Sequence, residues 1–307
     1  MTLKTPPLFS VLIANYNNGR YLRECLQSIF DQSYKHWEIV LVDDASTDES
    51  PNLYREYADD PRIRIYHNTS NQGVAYTKHR CIDLAAGEIL GFVDPDDTLH
   101  PEALSIMVAK HQKHPWHSLV YSTHYICDPH LKVLQKADWV WQVPLGQFSW
   151  GFSGKTISAF ATFKKEKYDE TEGISTWFLK AVDKDLYYKL EETGPILFVE
   201  EPLYYYRHHE GSISLHQHVK TATLFDWAAR AMVYARKKVT PAQLESMHHK
   251  QSELAAGLVL TGFYLISKGK RQEGWNVIRC AFATFKLRAI MGFGLLGIRM
   301  LRNSLVK

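Results

Sequence analysis

Between residues 9 and 93 the chain repeats one pattern, a short apolar run followed by an amphipathic stretch, and this repetition limits the folds open to it. Residues 9–14 (FSVLIA) have the β-branched content of a buried strand, and Tyr21-Leu22, Cys25-Leu26 and Ile29-Phe30 then recur at helical spacing. Residues 37–42 supply a second strand, and 46–57 a helix opened by Ser, Thr and Asp caps. Residues 62–66 (RIRIY) alternate as a strand, 74–86 read as a helix, and 88–93 close the series. Strand and helix in this rhythm predict βαβ units and a mainly parallel sheet.

The polar residues gain meaning from that topology. Asn15-Tyr16-Asn17, Asp43-Asp44, residues 68–73 and the cluster Asp94, Asp96, Asp97 all follow predicted strands directly. Open α/β sheets bind ligands in the crevice at that edge, so four segments converge on one site. Crowded carboxylates repel unless a metal or a donor-rich ligand compensates them. Asp-Pro-Asp-Asp is also good turn chemistry, and taken alone it reads as a turn. Asp43 reads as a partner of nearby backbone, and Ser46 and Asp48 as helix caps. Neither GxGxxG nor a P-loop is present.

From 114 to 172 the rhythm breaks, and Trp139, Trp141, Phe148, Trp150 and Phe152 lie in a stretch with few charges. Such rings suit the wall of a ligand site, or a flap on the domain's own core. A helix over 175–190 and two short strands near 196–199 and 203–206 follow. From 219 onward the pattern is helical, with Pro241 at a helix start.

With these residues in view, the chain resembles the family 2 inverting glycosyltransferases of GT-A fold over roughly residues 8–215. The resemblance rests on Ile13-Ala14-Asn15-Tyr16-Asn17, the run from Glu38 through Asp43-Asp44 to Asp48, Asn71-Gln72-Gly73, Gly87-Glu88 and Asp94-Pro95-Asp96-Asp97. Further on it includes Ala181-Val182-Asp183-Lys184-Asp185-Leu186 and Tyr206-Arg207-His208-His209 with Ser212 and Ser214. Each is weak alone; their order and spacing are specific.

The resemblance implies a Rossmann-like mainly parallel sheet with flanking helices at 1–215 and a helical C-terminal region at 216–307. It implies transfer of one sugar, with inversion, from a nucleotide diphosphate sugar (UDP-linked) to a hydroxyl of a glycan or lipid-linked oligosaccharide acceptor, as in lipopolysaccharide or capsule assembly. Ala14 and Tyr16 would line the base pocket, Asp44 would accept from the base, and Asn71 and Lys78 would belong to the nucleotide site. Asp96 would contact ribose or diphosphate, and Asp97 would ligate Mn²⁺ or Mg²⁺ together with Asp96. His209 is a further metal candidate, while a solvated loop is the competing reading for both Arg207 and His209. Asp183 would be the general base; the plainer alternative is a helix cap, with Asp185 a surface charge.

Some positions depart from the family pattern. The residue before the base is usually Glu and is Val182 here, and the usual Arg-Asn pair is Lys78-His79, a point charge without bidentate geometry. The absence of QxxRW argues against a processive synthase. Two rivals stand beside this reading: a sugar nucleotidyltransferase, whose Gly- and Arg/Lys-rich loop residues 15–19 do not supply, and a non-catalytic nucleotide-sugar-binding or membrane-scaffold protein.

The four cysteines lack CxxC spacing and read as small buried hydrophobes of a reducing compartment. No secretory h-region opens the chain, and no apolar run reaches the roughly 20 residues of a spanning helix, so a cytoplasmic protein is expected. The last carboxylate is Glu273, and residues 282–307 mix apolar and basic residues in a way that suits an in-plane helix on an anionic membrane or a docked helix. Gly292, Gly294 and Gly297 weaken either helix. His216 and His218, with no carboxylate or cysteine nearby in sequence, read as loop residues, and His248-His249 as an exposed helix face. Nothing suggests a nucleic-acid partner.

Overall fold

The computed structural model describes residues 5–144, 146–152, 156–210, 219–236 and 251–285, with 238, 240 and 242. Its first half runs β1 (Phe9–Asn15), α1 (Gly19–Phe30), β2 (Trp37–Asp43), α2 (Ser50–Glu56), β3 (Ile63–His67), α3 (Val74–Leu84) and β4 (Ile89–Phe92). β1 and β2 are buried on both faces, which is why they read as continuous apolar runs instead of alternating ones. Val11, Ile13, Ile39 and Leu41 point into one core with Leu22, Leu26 and Ile29 of α1. Leu12, Val40 and Val42 point into the other with Ala75, Cys81 and Ile82 of α3.

The second half runs β5 (Thr98–Leu99), α4 (Ala103–Lys113), β6 (Leu119–Cys127), β7 (Val133–Lys136), β8 (Ala161–Lys164), α5 (Lys165–Asp169), α6 (Val182–Glu191) and β9 (Ile196–Arg207). The described strands form one sheet in the order β3-β2-β1-β4-β8-β6-β9-β5, with β7 on β6. β3, β2, β1 and β4 are parallel, whereas β8 is antiparallel to both β4 and β6. The sheet is therefore mixed, since the segment after residue 114 supplies no βαβ crossover into β8.

Three boundaries differ from expectation, each through a side chain that holds backbone. α2 starts at Ser50 instead of 46, because Asp43 Oδ2 accepts from Ser46 N at 3.0 Å and Asp48 accepts from Gly19 N at 2.8 Å. α6 starts at Val182, not 175: Asp185 Oδ2 takes the N–H of Ser175 at 2.7 Å, and Lys189 donates to Gly173 O at 2.6 Å. The two short strands near 200 are one strand, β9, whose register on β6 shifts beside Pro202, a residue with no N–H for the ladder.

Among the described residues three C-terminal helices follow, α7 (Val219–Arg236), α8 (Gln251–Ser267) and α9 (Arg271–Thr284). α7 docks on α6 through Tyr188 Oη to Asp226 Oδ1 at 2.7 Å and through the buried Arg236–Glu192 pair. α8 and α9 meet at Gly262 and Gly274; a Cβ on Gly262 would lie 2.5 Å from Ile278 Cγ1, so only glycine allows that approach. Among the described residues no helix is long and apolar enough to cross a membrane. The boundary at 215, Ser212, Ser214, His216, His218, Pro241, His248, His249 and residues 286–307 of the basic tail lie outside the described residues.

Candidate active site

The loops after β1, β2, β3 and β4 gather at the carboxyl edge of the parallel strands. Asp43 Oδ1 accepts from Tyr54 Oη at 2.6 Å, and Asn15 Nδ2 donates to the same hydroxyl at 2.7 Å. Asp44 is buried and ties down the next loop: Oδ1 accepts from Asn68 Nδ2 at 2.6 Å and Gln72 N at 2.8 Å, and Oδ2 from Gly73 N at 2.8 Å. Around this frame Ala14 is half-buried, Tyr16 is 45% exposed and Asn71 is exposed. Asn17 (φ 53°) and Ala45 (φ 63°) hold left-handed backbone here, and Ala181 (φ 53°) does so before α6. Such strain persists only where the surroundings dictate it, and it concentrates at functional sites.

The acidic cluster after β4 is arranged differently. Asp94 Oδ1 accepts from Lys78 Nζ at 3.0 Å, and Asp96 Oδ2 lies 2.9 Å from His209 Nε2. Asp97 is 1% exposed. Its Oδ1 accepts from Arg207 N at 2.7 Å; among the described residues Oδ2 has no close hydrogen-bond donor, and the neighbouring Tyr204 hydroxyl offsets part of its charge. The Tyr204 hydroxyl stands beside it, accepting from Asp94 N at 3.1 Å. Burial first, and then the neighbouring carboxylates, push the pKa of Asp96 up and that of Asp97 well up. Asp97, read from the sequence as a metal ligand, is enclosed here, and the half-buried Asp96 and His209 lie nearer the surface.

Neither Arg207 nor His209 lies in a solvated loop. Arg207 is buried; its Nε donates to Asp96 O at 2.6 Å, Nη1 to Pro129 O at 2.7 Å and Nη2 to Glu24 Oε2 at 2.5 Å. Its guanidinium lies 4.5 Å from the Tyr21 ring centroid, and the His209 ring packs on the same tyrosine at 4.7 Å. Arg207 thus clamps the acidic loop to α1 and β9. Tyr21, Glu24 and Tyr204 were not singled out from sequence, because no local pattern marks residues whose partners lie so far away.

Asp183 opens α6, after left-handed Ala181 and core residue Val182. Lys184 Nζ lies 3.7 Å from its Oδ2 and donates to Ile157 O at 2.8 Å. Burial opposes the charge of Lys78, but Asp94 and then Asp183 outweigh it and hold its pKa above the ordinary lysine value. Asp183 and Asp94 also act together, after burial, in raising Tyr187. Asp183 thus stands close enough to the acidic cluster for both to act on Lys78 and Tyr187. Asp185, in contrast, is a buried partner of Ser175 and Lys189, not a surface charge. In the aromatic stretch Trp150 is buried in the core and stacks with Phe148, Trp139 and Phe148 are half-buried against it, and Trp141, in edge contact with the half-buried Phe152, is exposed.

A mixed sheet with flanking helices and this loop-built crevice defines a GT-A glycosyltransferase fold. The model of the family "Glycosyl transferase family 2" matches residues 10–172, more than half of the chain, and the protein belongs to that family. It is 29% identical over 205 residues to chondroitin synthase of Escherichia coli, covering 66% of this chain and 29% of that protein. It is 27% identical over 259 residues to glycosyltransferase GlyG of Streptococcus pneumoniae, covering 78% and 82%. The chain thus spans less than a third of the chondroitin synthase and most of GlyG. Among solved structures, S. aureus TarS in complex with UDP aligns with a TM-score of 0.64 at 18% identity, covering 92% of this chain and 82% of that one. The mannosyltransferase PcManGT from Pyrobaculum calidifontis, in complex with GDP-Man and Mn²⁺, aligns with a TM-score of 0.57 at 18% identity, covering 97% and 81%.

Proposed function

We propose that the protein transfers a single sugar from a nucleotide diphosphate sugar, UDP-linked, to a hydroxyl of a surface-glycan or lipid-linked acceptor, with inversion at the anomeric carbon. The observation that supports this reading is the charge of Asp183 acting on Lys78, the lysine that donates to Asp94 in the acidic cluster that also holds the Asp96–His209 pair. Tyr16 stacks on the base beside Ala14 and Asn71. Asp44 Oδ2 receives one protein donor and keeps a lone pair for the base. On the acceptor side, Asp183 takes the hydroxyl proton as the oxygen bonds to the anomeric carbon and the bond to the diphosphate breaks on the opposite face. Lys184 orients that carboxylate.

The residues fit a divalent cation, Mn²⁺ or Mg²⁺. Among the described residues no three His, Cys, Asp or Glu side chains group as a metal site. Asp96 and His209 instead form a two-donor edge of the kind completed by substrate phosphates, backed by Asp97 Oδ2. When bound, the ion would supply positive charge to the departing diphosphate. The lysine at 78 reaches the same region through Asp94.

The test is Asp183→Asn. Transfer is expected to fall by about 10²–10⁴-fold while UDP affinity by calorimetry stays within error. Turnover at the wild-type rate would remove Asp183 from the base role. Complete absence of donor hydrolysis by the wild-type protein would favour the binding-protein reading.

A further inference from the structure

The hairpin of α8 and α9 turns one face away from the other described residues. α8 meets α7 through Gly257, where a Cβ would lie 2.6 Å from Trp227, and meets α9 through Gly262. α9 meets α8 through Gly274 and Ile278, and meets α7 through Cys280, whose Sγ lies 3.7 Å from Met232 Sδ. Helical spacing then sets Trp275 and Phe282, seven residues apart, on the flank of α9 beyond its α8 contact and away from α7. Phe263 occupies the corresponding outer flank of α8. These aromatic side chains are 43% (Phe263), 52% (Trp275) and 52% (Phe282) exposed.

Basic residues rim that face. Lys268 and Lys270 form the turn, and Arg271 and Arg279 follow on α9. No ion pair to any of the four is found among the described residues, and Glu273 is the one carboxylate in this stretch and the last in the chain. Exposed indole and phenyl rings ringed by unpaired cations suit a surface that is apolar beneath and anionic on top.

We propose that the Phe263–Trp275–Phe282 face docks the protein on an anionic lipid bilayer. The rings enter the headgroup boundary while Lys270, Arg271 and Arg279 meet lipid phosphates; Lys268 lies instead over the Tyr264 ring on the α7 side. This surface shares only Phe282 with the tail read in the sequence at 282–307, and it does not depend on the transferase assignment, so either can fail alone.

The test is co-sedimentation of the full chain with phosphatidylcholine vesicles, with and without about one-third phosphatidylglycerol. Binding is expected with the anionic vesicles, weakening as salt rises. The exposed-site double substitution Trp275→Ser/Phe282→Ser should lower affinity about tenfold or more, with unchanged circular dichroism. Arg271→Gln/Arg279→Gln should lower it by a similar factor. Absence of vesicle binding overturns the proposal. So does binding indifferent to Trp275 and Phe282, which would move the contact to residues 286–307. Loss of a dimer in sedimentation velocity, without any change in vesicle binding, would assign the face to a second copy of the chain.

Discussion

The aspartates that end β2 and those that follow β4 occupy equivalent places at the edge of one parallel sheet, yet the protein surrounds them in opposite ways. Asp43 and Asp44 take donors from Ser46, Tyr54, Asn68, Gln72 and Gly73, so their charge is spread over fixed N–H and O–H groups. Asp94, Asp96 and Asp97 share one lysine, one histidine and one backbone N–H, and an oxygen of Asp97 has no close donor among the described residues. The first pair builds the loops. The second holds a negative field that the protein does not cancel, and pKa values raised by burial and mutual repulsion record that imbalance.

The sharpest way to break this contrast is to exchange the consequences. Asp44→Ala strands three donors, two of them backbone N–H groups, and should destabilise the fold by about 4 kcal/mol in urea unfolding. A change below about 1 kcal/mol would show that the β3–α3 loop stands without it.

Glu191 offers an intermediate case, a buried acid held only by Ser149, through its N–H at 2.8 Å and its hydroxyl at 2.6 Å. Burial pushes its pKa up to about 7, and the two Ser149 bonds offset only part of that. A carboxyl raised in the folded state binds its proton more tightly there than when unfolded. Its contribution is therefore greatest below the unfolded value of 4.5 and is lost as pH climbs to about 7. Relative to Glu191→Gln, the wild type should lose up to about 3 kcal/mol between pH 5 and pH 8. Parallel pH profiles for the two proteins would mean that hydrogen bonds alone neutralise a buried carboxylate here.

Asp96→Asn addresses the second set. It removes an acid whose one side-chain donor among the described residues is His209, so folding stability should hold. Manganese-dependent UDP affinity should drop about 100-fold by calorimetry. An unfolded variant would place Asp96 with the loop-building aspartates instead.

The contrast between the two sets also explains what could be read from residues alone. β1, β2 and β4 were legible because burial on both faces writes an unbroken apolar run, a local signal. The proposed grouping of Tyr16, Asp44, Asp96 and Asp183 rests on the strand order together with a family resemblance. Whether a given carboxylate is already satisfied depends on Asn68, Arg207 or Tyr204, residues distant in sequence, and no spacing rule reports that. The same cause hid the start of α6, where Asp185 and Lys189 hold residues 173–175 out of the helix. It hid the direction of β8 as well, since an antiparallel entry leaves no mark on a four-residue strand.

Asp97 carries the smallest expected effect and the most discriminating one. Asparagine keeps an oxygen for Arg207 N and replaces Oδ2 by an amide that can donate to the Tyr204 hydroxyl. It also removes a buried charge that repels Asp96 and Asp94. Asp97→Asn should therefore stabilise the protein, by about 1–2 kcal/mol without metal, and leave manganese-dependent UDP affinity within a fewfold of wild type. In the double variant with Asp96→Asn that gain should shrink, because the repulsion has already been relieved. If Asp97→Asn instead loses UDP affinity as fully as Asp96→Asn, the enclosed carboxylate opens to the ion, and the division between accessible and supporting acids fails at its centre.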